Sequence, residues 1–188
     1  MIVKLKEITT ISSGVYKKEY PVGDVLYLQI KDMKAVAGTK WKLKPTLPNT
    51  ASLAKHLLND RDLLFAAKGL TNYCAIYYKE TGPAVASTSF YIIRLKYNAG
   101  ILPEFLCWYL NSPAVLNALQ KKSYVGTIPL ITKGMLEETI IQVPNLNFQS
   151  ELLNYKRLQD KEYELRIAIA EKKNTMINQI FTEIVKNK

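Results

Sequence analysis

Residues 148–188 read FQSELLNYKRLQDKEYELRIAIAEKKNTMINQIFTEIVKNK and contain neither glycine nor proline. Leu, Ile, Glu, Lys, Gln and Arg dominate the stretch, a composition typical of helices. Apolar or seam-compatible residues recur in it at spacings of three and four, which average close to the α-helical period. The stretch therefore predicts one long C-terminal helix.

The predicted helix carries an apolar seam, although Glu162 and Lys173 interrupt it. The apolar members of the seam are Tyr155, Leu158, Leu165, Ile169, Met176, Ile180 and Ile184. At about 1.5 Å per residue the helix would reach on the order of 55–60 Å, longer than the rest of the chain can bury. We therefore expect it to project and to pack on another helix. The alternative is a helix folded back on its own domain.

Residues 1–147, which precede this helix, are a mixture of strand and helix signals, and those up to about Ile101 indicate short strands and loops. The runs VLYLQI at 25–30 and SFYIIRL at 89–95 have the length and the aromatic and β-branched content of strands. Pro103 stands at a plausible first helical position, and further helices are expected up to about residue 122 and near 133–137, before a strand at 139–143. The fold class is thus α+β, with a globular domain at 1–147 and a helix at 148–188.

The chain is strongly basic, with a formal net charge of +10. Residues 1–150 hold 18 Lys and Arg against 10 Asp and Glu, whereas residues 151–188 hold 8 against 6. An excess of basic side chains indicates a polyanionic partner, nucleic acid before membrane, and the alternative is a basic surface without a specific partner. The globular part carries most of this charge.

Several classes of protein are disfavoured. No apolar run approaches the roughly 18 residues needed to cross a bilayer, and the start of the chain lacks a signal-peptide core, so we expect a cytoplasmic protein with no membrane partner. Cys74 and Cys107 are far apart in sequence and belong to no CxxC motif. We therefore expect no disulfide framework, no metal site and no cofactor, and two buried thiols.

No catalytic residue is predicted. His56, the only histidine, has no Ser-rich elbow or cysteine near it in the sequence and is interpreted as a structural or surface residue. Phosphate-binding and dinucleotide-binding glycine loops are absent. Asp60, Asp62 and Glu80 leave open one alternative, a small metal-dependent nuclease, although no further acid and lysine follow at a convincing spacing.

Basic residues mixed with aromatic ones are the first candidates for contact with nucleic acid. They are Tyr16 and Lys17, and, on a glycine-bearing segment, Lys31, Lys34, Lys40, Trp41 and Lys42. Lysines on such segments can lie along phosphates while an aromatic ring packs beneath. The alternative is a solvated charged hairpin.

A second set of candidates combines lysine, glycine and small polar residues. Lys68, Gly69, Thr71, Asn72 and Tyr73 follow a strand-like run, where glycine permits close backbone approach and Lys and Asn can read guanine and adenine edges. The remaining candidates are Ser87, Thr88, Lys122, Tyr124 and Thr127. Each of these residues can equally serve a turn.

The order of four segments resembles one recognition half of a type I restriction-modification specificity subunit, over essentially the whole chain. The segments are residues 4–8 with Gly14, the pair of strand segments 27–33 and 60–69, residues 103–112, and residues 126–144 followed by Asn147, Phe148 and Gln149. In that family a Pro, a short gap and a Gln open the spacer helix, and Pro144 and Gln149 match this pattern.

The resemblance implies a non-catalytic target recognition domain that binds one half of a bipartite site on double-stranded DNA. Separate modification subunits would supply S-adenosylmethionine-dependent adenine methylation, and a restriction subunit ATP-driven cleavage. Family members usually carry two recognition domains and two spacer helices packed antiparallel, whereas this sequence contains one of each.

The single copy of each part predicts a half-subunit that forms a homodimer through an antiparallel coiled coil of its C-terminal helix. One alternative is a fragment that pairs with another specificity subunit. Another is a scaffold whose helix binds protein partners while its basic surface is incidental.

Overall fold

The computed structural model describes residues 1–32, 44–68, 72–123 and 130–186. Its contacts divide the chain into two compact units, Met1–Leu146 and Asn147–Lys188. None of the helices in the described ranges is both long enough and apolar enough to cross a membrane.

The first unit combines short strands with short helices. The strands are β1 (Ile2–Lys4), β2 (Thr9–Ser13), β3 (Leu26–Leu28), β4 (Leu63–Ala66), β5 (Cys74–Ile76), β6 (Ala84–Ala86), β7 (Phe90–Leu95) and β8 (Ile140–Gln142). The helices are α1 (Leu5–Ile8), α2 (Ala51–Ala54), α3 (Pro103–Leu110), α4 (Pro113–Ser123) and α5 (Lys133–Glu137), with 3₁₀ turns at Ile30–Asp32 and Lys79–Thr81. The long helix α6 runs over Leu146–Lys186.

The described strands form one four-stranded antiparallel sheet in the order β2-β7-β4-β5 and two smaller pairs. In the large sheet Ser13 lies opposite Tyr91, and Phe65 lies between Tyr91 and Cys74. This register places the end of β2, the start of β7, the end of β4 and the start of β5 at the same end of the sheet.

A parallel pair, β3 with β6, packs beside the large sheet, with Leu28 opposite Ala86. The amide of Val15, just beyond β2, donates to Ala86 O at 2.9 Å, which joins the end of β6 to the end of β2. The third sheet pairs β1 with β8 in antiparallel register, Ile2 opposite Gln142. These links bring segments from the whole first unit into one body.

The core lies between the parallel pair and one face of the large sheet. Alternate residues of a strand point to one face, and Leu64 and Ala66 of β4 accordingly meet Phe90 and Ile92 of β7 in a single buried cluster. Leu26, Leu28, Leu58, Tyr77, Ala84 and Ala86 complete this cluster. Each fully buried Leu or Phe side chain contributes about 1.5–3 kcal/mol, so the cluster anchors the strands whose ends carry the loops.

The β5 strand forms one border of the large sheet, and a side chain completes its hydrogen bonding. Asn111, at the end of α3, accepts a hydrogen bond from Cys74 N and donates one to Cys74 O, both at 2.7 Å. Cys107 donates from Sγ to the same carbonyl at 3.4 Å. Both cysteines are free thiols, Cys74 buried and Cys107 half-buried, and burial raises the pKa of the Cys74 thiol.

The mixed α+β class predicted from the sequence is confirmed, as is the helix at 133–137. Two short helices, α1 and α2, lie in a region predicted as strands and loops, and the run at 25–30 gives only three strand residues before a 3₁₀ turn. β3 and β4, which lie in the two predicted strand segments, belong to different sheets, since β3 pairs with β6. Helix α6 begins two residues earlier than predicted.

Helix α6 is 41 residues long and exposes apolar side chains on two adjacent faces. The first face is the predicted seam, all seven of whose apolar residues are exposed. The second face begins only at residue 163 and consists of Tyr163, Ile167, Ile177, Phe181 and Val185. At 3.6 residues per turn the two faces are centred about 120° apart, so the second half of the helix is apolar over a wide arc.

Candidate nucleic-acid interface

Four segments that hold sequence-predicted site residues leave the strands at one end of the first unit, here named the loop end. Residues 14–17 follow β2, residues 29–32 follow β3, residues 67–73 connect β4 to β5, and residues 87–89 connect β6 to β7. The strand registers place all four junctions together. The opposite end, named the far end, holds the starts of β2 and β4 and the ends of β5 and β7.

Gly14 lets two of these segments touch. A Cβ atom at this position would lie 2.1 Å from Ser87 O and 2.5 Å from Ala86 O, so only glycine fits. The Gly14 amide donates to Phe90 O at 3.0 Å. The segment carrying Tyr16 and Lys17 is therefore fixed against the segment at 87–89.

Lys68 stands on backbone that is held from both sides. Its neighbour Ala67 donates from N to Ser89 O at 3.1 Å and accepts from Ile131 N at 3.1 Å. Lys68 itself forms an antiparallel bridge with Leu130. The side chain of Lys68 is exposed, so a fixed backbone presents a basic group at the loop end.

Asn72 and Tyr73 lie deeper than their prediction as nucleic-acid contacts suggested. Asn72 is 5% exposed; its Nδ2 donates to Ala66 O at 3.0 Å, and its Oδ1 accepts from Gln120 Nε2 at 3.3 Å. The Tyr73 hydroxyl is buried without a hydrogen-bond partner in the described residues, and burial raises its pKa to about 12. Both polar groups thus face the interior of the loop end.

The other described candidates lie at the same end. Ser87 is buried and holds β3 through its amide, which donates to Leu28 O, whereas Thr88 is exposed in the following turn. Tyr16 is 80% exposed, and the amide of Lys17 donates to Tyr27 Oη at 3.2 Å. Lys122 is exposed in the last turn of α4.

Eight predicted site residues lie outside the described ranges. They are Lys34, Lys40, Trp41, Lys42, Gly69, Thr71, Tyr124 and Thr127. The segments that contain them, 33–43, 69–71 and 124–129, include three lysines and no acidic residue.

Charge is distributed unequally between the two ends. At the far end, Lys4 and Lys6 both bind Glu138, at 2.6 and 2.5 Å, and their hydrogen bonds hold the pKa of that carboxyl at about 2. Arg61 and Arg94 are likewise paired, with Glu104 and Asp62. At the loop end, the described residues contain one ion pair, Lys31 with Glu19 at 3.6 Å.

Lysines therefore remain without an acidic partner at the loop end, as far as the structure describes it. Lys17, Lys68 and Lys122 belong to this group. An uncompensated cluster of this kind produces a positive potential that attracts polyanions. The loop end combines this charge with exposed tyrosine and threonine groups that can contact phosphates and bases.

The acidic residues considered for a nuclease lie at the far end. Asp62 is buried and accepts two hydrogen bonds from Arg94, at 2.8 and 2.6 Å, and one from Asn59 N at 2.7 Å. The bond to Asp62 raises the pKa of the Arg94 guanidinium. Asp60 accepts from Lys79 N at 3.0 Å. Across the described ranges, no group of three or more His, Cys, Asp or Glu could hold a metal ion.

Residues 1–179 match the family described as "Type I restriction modification DNA specificity domain". The chain therefore belongs to this family, as the sequence predicted. No curated protein sequence gives a significant match.

Solved structures show the same fold at low sequence identity. The chain is similar to a structure titled "Structural basis underlying complex assembly and conformational transition of the type I R-M system", with a TM-score of 0.66 and 18% identity over 92% of this chain and 41% of that one. The HsdS subunit from Thermoanaerobacter tengcongensis gives a TM-score of 0.58 and 16% identity, over 89% of this chain and 39% of that one. The type I S subunit from M. genitalium gives a TM-score of 0.57 and 16% identity, over 87% of this chain and 40% of that one. This chain thus spans about two fifths of each of these chains.

Proposed function

We propose that the loop end of the first unit binds double-stranded DNA sequence-specifically and reads one half of a bipartite site. The observation that carries this proposal is the gathering of lysines without an acidic partner, among the described residues, at the end where four loops meet. At the far end, by contrast, four basic residues are ion-paired: Lys4, Lys6, Arg61 and Arg94. Membership of a DNA specificity family supports the same reading.

Two kinds of contact are expected there. Lysines such as Lys17 and Lys122 suit phosphates, which position the protein but carry no sequence information. Lys68 suits a base edge, because backbone bonds on both sides fix the place from which its side chain extends. The chain itself then needs no catalytic group, and partner subunits supply the chemistry.

We expect Lys68→Ala to weaken binding to the preferred duplex by about 1–3 kcal/mol and to relax selectivity at one base position. The matched control is Lys79→Ala, which removes the same charge at the far end. Fluorescence anisotropy with the preferred and a random duplex measures both variants. Equal losses in the two variants would contradict a specific role for the loop end.

The rival functions predict different results in simple assays. A scaffold with an incidental basic surface binds all duplexes alike, whereas specific binding exceeds nonspecific binding by orders of magnitude. A nuclease cleaves DNA when magnesium is added to the pure protein, which the proposed function does not. Selection from a random duplex library, followed by filter binding at two salt concentrations, decides between these functions and identifies the bases.

We infer that the first face of α6 pairs antiparallel with the same face of a second copy, or of another specificity subunit. Seven apolar side chains exposed along one face of a helix that would span on the order of 60 Å support this. Two antiparallel helices would set the separation of two recognition domains. A homodimer of this kind would read a palindromic, interrupted site.

The second face of α6 is assigned to the modification subunits. Phe181 and Tyr163, 64% and 67% exposed, are unusual on an isolated surface and typical of a protein interface. Because this face lies about 120° from the first, a helix can occupy it while the first face is paired. A restriction subunit would join through the complex that this contact assembles.

We expect Ile169→Glu to abolish self-association, because it places a charge in the middle of the apolar seam. Phe181→Glu is expected to preserve self-association and to remove binding of the modification subunit. Sedimentation velocity at micromolar concentration, with and without that subunit, measures both effects.

Ala168→Glu is the matched control for both changes, since residue 168 lies about 100° from Ile169 on the polar side of the helix. It introduces the same charge outside both apolar faces. A dimer that survives Ile169→Glu would contradict pairing through the first face. An unaltered protein that is monomeric would contradict pairing between two copies and leave only a different specificity subunit as the partner.

A further inference from the structure

Asn72 was predicted to read a base, but its amide is already engaged on both sides. Ala66 is the last residue of β4, and its carbonyl accepts from Asn72 Nδ2 at 3.0 Å while its amide donates to Tyr73 O at 2.8 Å. These two bonds close the base of the connection between β4 and β5. Asn72 thus holds the ends of this connection together from inside.

The second polar atom of Asn72 reaches a different element. Its Oδ1 accepts from Gln120 Nε2 of α4 at 3.3 Å. The next turn of α4 is held as well, because the buried Ser123 donates from Oγ to Gln120 O at 2.8 Å. The last turn of α4, which carries Lys121 and Lys122, is therefore tied to the connection that carries Lys68.

The chain that follows α4 returns to the same place. Leu130 forms the bridge with Lys68, and Ile131 donates from N to Ala67 O at 3.1 Å. The last turn of α4 is thus anchored to the β4–β5 connection through the side chain of Asn72, and Leu130 and Ile131 are anchored to it through backbone bonds.

We propose that Asn72 and Gln120 form a positioning pair, which sets the last turn of α4 relative to the backbone at Ala67 and Lys68 without touching DNA. This inference rests on the proposed function for its effect on DNA. Its structural part, that the pair fixes the backbone around Ala67 and Ile131, does not depend on the proposed function. A base-reading residue needs its polar atoms free for DNA, whereas this 95% buried pair member uses both atoms within the protein.

The test compares Gln120→Ala with Asn117→Ala, which deletes an exposed amide one turn earlier on the same helix. We expect Gln120→Ala to lower the ratio of affinities for the selected and random duplexes about fivefold to tenfold, as for loss of one partly buried hydrogen bond. Affinity for random duplex and the salt dependence of binding should stay unchanged. Asn117→Ala should alter none of these quantities.

Asn72→Ala and the double variant complete a cycle. Because the two residues act as one pair, the double variant is expected to lose no more specificity than Asn72→Ala alone. If Asn72→Ala fails to fold, the comparison of Gln120→Ala with Asn117→Ala still tests whether Gln120 positions the connection. A loss that is equal for both duplexes, together with a shallower salt dependence, would overturn the proposal, since it identifies Gln120 as a phosphate contact.

Amide hydrogen exchange separates this inference from the proposed function. In Gln120→Ala, we expect exchange at Ala67 and Ile131 to be about fivefold faster, and exchange at Lys96, bonded to Ile8 at the far end, to be unchanged. If the unaltered protein prefers no duplex, the proposed function fails, and faster exchange still supports the positioning pair. Unchanged exchange at Ala67 and Ile131 overturns it.

Discussion

Gly14→Ala is expected to lower the free energy of unfolding by about 3 kcal/mol. The added methyl group would lie 2.1 Å from Ser87 O and 2.5 Å from Ala86 O, and backbone atoms cannot rotate away as a side chain can. Relief requires the end of β2 to move from β6 and β7. This movement breaks the bonds from Gly14 N to Phe90 O and from Val15 N to Ala86 O.

For a protein of this length, such a loss lowers the melting temperature by about 6–12 °C. Gly134→Ala is the matched control, because an added Cβ there meets no atom within 4 Å and the residue is exposed in helix α5. That variant should be more stable than the unaltered protein by about 0.4–1 kcal/mol. Urea and thermal denaturation measure both, and equal stability of the two variants would refute the close approach at Gly14.

Asp62→Ala is expected to lower the free energy of unfolding by about 2–4 kcal/mol. The Asp62 side chain is 1% exposed and accepts from Arg94 and from Asn59 N. Its removal leaves the Asn59 amide and part of the guanidinium without a partner. The Arg94 side chain is 43% exposed and can be rehydrated, which keeps the loss below that of a fully buried pair.

The control for this prediction is the Arg61–Glu104 pair, whose side chains are 52% and 29% exposed. Solvent screens a pair of this kind, so Glu104→Gln should change stability by less than about 1 kcal/mol. Asp62→Asn keeps an oxygen that can accept from the backbone amide of Asn59. Its loss of unfolding free energy should therefore lie between those of Asp62→Ala and Glu104→Gln. If Asp62→Ala matched Glu104→Gln in chemical denaturation, the buried pair would contribute no more than an exposed one.

Local sequence signals predicted the elements whose formation depends on nearby residues. Pro103 was predicted as a first helical residue and begins α3 at the position where its missing amide costs nothing. The short helix predicted near 133–137 is α5, which the structure shows capped by Thr132, whose side chain accepts from Met135 N at 3.3 Å. The absence of Gly and Pro from 148–188 likewise predicted α6. In each case the cause and its effect lie within a few residues of one another.

Contacts between distant residues could not be predicted in the same way. Leu28 pairs in parallel with Ala86, and no local pattern in either strand indicates this partner. The lysine candidates of the interface, such as Lys68, were found because charge is visible in the composition. The burial of Asn72 was missed, because its partner Gln120 is 48 positions away and its own neighbours are typical of a surface turn.

The pairing of Asn111 with the backbone of Cys74 has a consequence for assembly. The outer strand of a sheet offers unpaired amides and carbonyls, to which a strand of another molecule can add, and uncontrolled addition leads to aggregation. At Cys74 the Asn111 side chain occupies both groups in the manner of a neighbouring strand, at 2.7 Å each. Strand addition at Cys74 is thus blocked by an intramolecular mimic of a neighbouring strand.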